Sequence, residues 1–181
     1  EMCLRDRIAG SQLMDNEKFG PANIAATNGE TALDASYAQY LDIVNEGVIS
    51  ATNSNTIDLN QTDSVRVNNR GSILTGGNYA LYAFGAKNLF VENSGTIEAD
   101  AIQAIYLSSA NQAAVQNYGT IKADTYGIYE TDAHFISISN GDSENSTATI
   151  SAENSYAIDS TGEYTNITNY GVIQAGENTI N

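Results

Sequence analysis

The chain has 181 residues, 41% of them apolar, and its 22 acidic and 7 basic side chains give a formal charge of −15. That length suits one domain with a substantial core, and the apolar content excludes a disordered chain. The charge excludes nucleic acid as a partner, since phosphate recognition needs clustered Lys and Arg; an acidic surface keeps a protein soluble and can gather divalent cations.

Asn, Ser, Thr, Gly and 11 tyrosines crowd the sequence, Trp is absent and Pro occurs once, at Pro21. This mixture favours strands and turns over helices. A single cysteine, Cys3, leaves no internal disulfide. No run of 18 apolar residues exists, so no transmembrane helix is expected, and no charged and apolar leader follows Glu1.

Residues 1–20 differ from the rest. They hold both methionines, the cysteine and three of the seven basic residues, with Leu4 and Ile8 in an irregular apolar pattern. They are expected to form an N-terminal cap or arm over the first repeat unit, with Leu4 and Ile8 as candidate assembly contacts, because an open end of a repeat array exposes unpaired backbone.

Residues 21–181 are repetitive. Asn45-Glu-Gly47-Val-Ile49-Ser-Ala51 aligns without a gap with Asn69-Arg-Gly71-Ser-Ile73-Leu-Thr75, Asn93-Ser-Gly95-Thr-Ile97-Glu-Ala99 and Asn117-Tyr-Gly119-Thr-Ile121-Lys-Ala123. The glycines recur every 24 residues (71 − 47, 95 − 71, 119 − 95). A fifth copy is displaced by an insertion around Asp142–Thr149, which puts Ala148 at the glycine position and should turn differently; a sixth returns at Asn169-Tyr-Gly171-Val-Ile173-Gln-Ala175. Pairs spaced by two, such as Val65 and Val67 or Leu89 and Val91, precede each Asn, and Leu33, Ile57, Leu81, Ile105, Ile128, Ile158 and Ile180 form a further column. Spacing by two sends both side chains of a strand to one face.

The expected fold is therefore all-β: a parallel β-helix, or β-solenoid, of about 24 residues per coil, with three short strands per coil and six to seven coils. In it, Gly47, Gly71, Gly95, Gly119 and Gly171 are expected to supply φ > 0 corners. Asn45, Asn69, Asn93, Asn117 and Asn169 are expected to stack as a hydrogen-bonded ladder. Tyr82, Tyr106 and Tyr129 each follow an inward residue by one, so they should point outward as an exposed aromatic column between Asp58 and Asp159, a candidate contact strip for glycans or a neighbouring rod. Asp100 and Asp124 fall at equivalent positions and are a candidate calcium pair; no other cofactor is expected. The chain stops at Asn178-Thr179-Ile180-Asn181, inside a coil, making Thr179 and Ile180 the candidate contacts of the other end, for a homo-oligomer or head-to-tail filament.

No catalytic cluster is evident. His134, the one histidine, has Asp132 two residues away but no Ser or Cys conveniently placed beside them, so no enzyme activity is expected.

The tandem Asn-x-Gly-x-Ile-x-Ala units resemble the passenger regions of Gram-negative autotransporter adhesins. The resemblance covers residues 21–181 and rests on coil-forming positions. It implies a right-handed parallel β-helix at the outer surface of a Gram-negative cell, acting in adhesion, aggregation or matrix building on cell-surface glycans, proteins or its own copies, with no catalytic residues to carry over. The family's membrane β-barrel and leader are not among these residues, which leaves the secretion route open. A polysaccharide-binding module using the tyrosine strip is the alternative, and a glycan lyase or hydrolase would need a carboxylate cluster brought together by folding.

Overall fold

The computed structural model describes residues 17–19, 23–176 and 179–181. Among them there are twenty strands and no helix. All strand pairs are parallel and fall into three sheets of seven, seven and six strands. One coil shows the plan: Phe90–Asn93 lies in the first sheet, Thr96–Ala99 in the second and Gln103–Ser108 in the third. Each pairs with the strands one coil before and one coil after, so the chain is a parallel β-solenoid. Seven first-sheet strands at about 4.8 Å per rung make a rod roughly 30 Å long.

The strands form where apolar and polar residues alternate. In Thr96–Ala99, Ile97 and Ala99 are buried while Thr96 and Glu98 are half-exposed. One coil cannot bury such a face alone; stacking does it, column on column. Ile43, Val67, Val91, Val115 and Ile138 line the core from the first sheet, Ile49, Ile73, Ile97, Ile121 and Ile150 from the second, and Leu33, Ile57, Leu81, Ile105, Ile128 and Ile158 from the third.

The first sheet begins at Glu17–Phe19, which pairs with Asp42–Asn45 in the register Glu17↔Ile43. The first described rung therefore lies inside the segment read as an arm; Leu4 and Ile8 lie outside the described residues. At the other end Ile180 bridges to Ile158, Thr179 accepts a hydrogen bond from the Ile158 amide at 3.2 Å, and Ile180 is 49% exposed.

The glycine expectation is corrected. None of Gly47, Gly71, Gly95, Gly119 and Gly171 has positive φ. Gly71, Gly95, Gly119 and Gly171 exclude a Cβ because stacked backbones touch: a Cβ on Gly71 would lie 2.0 Å from the Gly47 carbonyl oxygen, and on Gly95 equally 2.0 Å from that of Gly71. Left-handed corners occur instead between the third and first sheets, in two columns of mostly non-glycine residues, including Gln61, Ser109 and Asp132 in one, and Ser64, Asn88 and Gln112 in the other. Short polar and amide side chains tolerate that conformation best, yet Tyr40, Phe135 and Tyr164 also adopt it.

The insertion leaves the rod after Asn140 through Gly141, whose φ is +73°. Asp142 closes it by accepting from the amides of Glu144 and Asn145, both at 2.8 Å. The chain rejoins at Ala148, whose carbonyl accepts from Asn140 Nδ2 at 3.3 Å, as the Gly47 carbonyl does from Asn45. The coil does turn differently, but it returns to register.

Candidate functional site

Two ordered arrays run along the rod, one buried and one at the surface. The buried one is the asparagine ladder. Nδ2 of Asn45 donates to Oδ1 of Asn69 at 2.7 Å, and the chain continues Asn69 to Asn93 and Asn93 to Asn117, each at 2.8 Å. The same nitrogen also donates across the corner to the second sheet of the next coil, as from Asn69 to the Thr96 carbonyl at 2.9 Å. Asn45, Asn69, Asn93 and Asn117 are fully buried, so each amide is held by partners of fixed geometry. Asn140 is a further rung, linking Asn117 at 2.8 Å to Asn169 at 2.9 Å. It stands 23 residues after Asn117, so a strict period of 24 passes over it. The signal that finds it is the preceding pair Ile136 and Ile138.

The surface array lies on the third sheet. Strands there have only two residues in the first two coils, Leu33–Asp34 and Ile57–Asp58, and lengthen to six at Tyr79–Phe84, Gln103–Ser108 and Tyr126–Thr131. One outward column reads Asp34, Asp58, Tyr82, Tyr106, Tyr129, Asp159 in register. Tyr82 and Tyr106 stack with ring centroids 5.3 Å apart and planes within 3°, and Tyr106 and Tyr129 at 5.7 Å and 14°. The expected aromatic column is present and flanked by the expected acids, but its rings are half-buried because they cover one another.

Sequence reasoning missed a second column beside it. Tyr79 packs 4.9 Å from Tyr106, Tyr126 packs 4.9 Å from Tyr129, and Tyr156 continues the stack 6.2 Å from Tyr126. Tyr79 and Tyr126 open their strands and Tyr156 lies two residues before Ile158–Ser160, so none follows the inward residue, and their alignment depends on the one-residue deletion and the insertion. Burial raises the phenol pKa of Tyr79, Tyr82 and Tyr129, and neighbouring phenols and the carboxylates of Asp58 and Asp159 add to it. Asp58 is itself raised, first by burial, although the Asn60 amide and the Asn55 side chain hold its charged form.

The other candidate residues are brought together less usefully. Asp100 and Asp124 stack one coil apart at the edge of a shallow groove with Glu98, Lys122 and Glu153. Lys122 Nζ sits 2.9 Å from Glu153 and 3.5 Å from Glu98, and Asn154 donates to Asp124 at 2.6 Å, so a cation in the groove would compete with groups already engaged. Among the described residues no group of three or more His, Cys, Asp or Glu is placed to hold a metal ion. His134 lies on an exposed corner with Nδ1 3.2 Å from Glu163.

One carboxyl is inside. Glu130 takes an inward third-sheet position, opposite Leu107 in one neighbouring coil and Ser160 in the other, and is fully buried. Its Oε2 accepts from the hydroxyls of Ser160 at 2.5 Å and Thr165 at 2.6 Å, while Oε1 has no partner and fills the place of a Cβ at Gly162.

The wide, continuous feature on the rod's outside is therefore the tyrosine face, and it is the candidate site. Compared with known protein families, curated proteins and solved structures, the chain matches none.

Proposed function

We propose that this chain is a non-catalytic structural and adhesive rod of the bacterial cell surface or extracellular matrix, acting in adhesion, aggregation or filament formation. The observation that carries the reading is the continuity of the solenoid. Three parallel sheets and a buried asparagine ladder run unbroken from coil to coil, which makes a stiff body whose chemistry is on its outer faces. The Asn-x-Gly-x-Ile-x-Ala units, similar to those of autotransporter passengers, form that solenoid and support a secreted Gram-negative origin. The ionisable groups fit this reading: Glu130 is sealed in the core and His134 sits on a corner facing one carboxylate.

Display of the chain on a bacterium that does not aggregate tests the proposal. Clumping or attachment to an abiotic surface above the undecorated control is the expected result. A suspension as dispersed as the control, with only separate short rods of the purified chain in negative stain, would overturn it.

A further inference from the structure

The tyrosine face is more than a packing surface, and three observations say what it is shaped to meet. The first is the slip of the rings. Carbon atoms in contact lie about 3.5–4.0 Å apart, so near-parallel rings with centroids 5.3 Å apart must be offset. Tyr82, Tyr106 and Tyr129 overlap like tiles and leave part of each face open, consistent with their half-buried state. The repeat is close to the length of one sugar unit in an extended polysaccharide.

The second is Gln103. It stands in register between Tyr79 and Tyr126, at the middle of the face, and is only 7% exposed. Its buried Oε1 has no hydrogen-bond partner in the chain. A carboxamide offers an acceptor and two donors, and a buried one without partners is a liability of about 1–3 kcal/mol unless something completes it. Asn55, at the foot of the same column, repeats the pattern: its Nδ2 donates to Asp58 at 3.4 Å and its buried Oδ1 has no partner.

The third is charge. Among the described residues no Lys or Arg occurs in any third-sheet strand, and the aromatic column ends on Asp58 and Asp159. Uronates, sulfated glycans and nucleic acids are repelled by such a surface; a neutral chain of hydroxyls is not.

We propose that the tyrosine face, with the carboxamide of Gln103 at its centre, is a binding strip for a neutral polysaccharide lying along the rod. Sugar C–H faces rest on the open parts of the tyrosine rings, and hydroxyls exchange hydrogen bonds with the Gln103 carboxamide. The proposal rests on the surface-rod reading and names what one face of that rod holds.

Sedimentation of the whole chain with insoluble cellulose, chitin and starch, beside covalently cross-linked, calcium-free polygalacturonate beads as the anionic comparison, tests it. Retention on at least one neutral polymer and none on polygalacturonate is expected. Gln103→Met, which keeps length and removes the hydrogen-bonding groups, should weaken retention at least tenfold with thermal unfolding no earlier than in the parent. Tyr106→Leu should abolish retention, with circular dichroism checking that the sheets persist. Retention on none of the three neutral polymers, retention on polygalacturonate, or neutral binding indifferent to Gln103→Met would each overturn the proposal. Cells that still clump when displaying a chain that binds no glycan would leave the rod reading standing and remove only this strip.

Discussion

The fourth and sixth coils share one register but are built from different cores. In the fourth, Ile97, Ile105 and Leu107 fill the interior, and the corner is lined by Ala86 and Ala110 of adjoining coils. Around the sixth, Glu130 stands in line with Leu107, Ser160 follows it, Gly162 takes the place of the corner alanines and Thr165 that of Leu89 and Ala113. The four exchanges are coupled. A carboxylate inside needs hydrogen-bond donors, which Ser160 and Thr165 supply, and it needs volume, which the missing Cβ at Gly162 releases. The asparagine ladder passes through both regions, while the stacked glycine corners give way to Ala148 in the sixth coil. The coil is thus specified by its corners and ladder, while its filling can be exchanged if volume and polarity are exchanged together.

Interrupting the shared ladder should have the largest effect. Asn93→Ala removes the bonds to Asn117 and the Thr120 carbonyl and strands Asn69, so a loss of about 4 kcal/mol is expected from orphaned buried groups and the space left behind. Denaturant unfolding reads it, and a loss under about 1 kcal/mol, no more than one ordinary hydrogen bond, would deny the ladder its structural role. Gly95→Ala sets a methyl against the Gly71 carbonyl and should destabilise by about 3 kcal/mol through forced backbone movement. At Ala148, by contrast, the rod already accepts a Cβ.

The comparison of cores is sharpened by conversion. Glu130→Leu alone should destabilise by about 2 kcal/mol, since Ser160 and Thr165 lose their acceptor. Glu130→Leu with Ser160→Leu, Gly162→Ala and Thr165→Val should recover that loss or exceed it by about 1 kcal/mol, as apolar replacement of buried polar groups commonly does. If the fourfold variant is no better than the single one, the four residues do not act as a unit.

The smallest effect belongs to the tyrosine face. Because burial raises the phenols of Tyr79, Tyr82 and Tyr129 above the ordinary value near 10, the folded state holds their protons longer than the unfolded chain does. Their contribution is fully present below about pH 10 and is lost as pH rises through the folded values. Tyrosinate absorbance should therefore show a late-titrating group of phenols that joins the ordinary ones on unfolding. A single ordinary titration in the folded protein would contradict the tiling.

Much of this architecture was legible in the residues. A period that keeps Asn93, Gly95, Ile97 and Ile105 in step over successive coils requires stacked coils, because only stacking makes residues 24 apart equivalent. The column of Tyr82, Tyr106 and Tyr129 followed from strand alternation, and the three-strand coil from three apolar columns kept in step and separated by Gly and polar turns.

What the chain alone could not show depends on distances between coils. Glycine's two uses, left-handed φ and close approach, look alike in sequence, and the Gly71 to Gly95 contact separates them only when the rungs are placed one on another. Asn140 as a rung, Tyr126 and Tyr156 in line with Tyr79, and Glu130 beside Ser160 and Thr165 each cross a deletion or an insertion, where counting by 24 fails. The repeat, its strands and the faces of their side chains can be read from the residues, because alternation and period are properties of the chain. Which side chains meet, which backbones touch and which carboxamide is left without a partner emerge only on folding, because they depend on how each coil lands on the one beneath it.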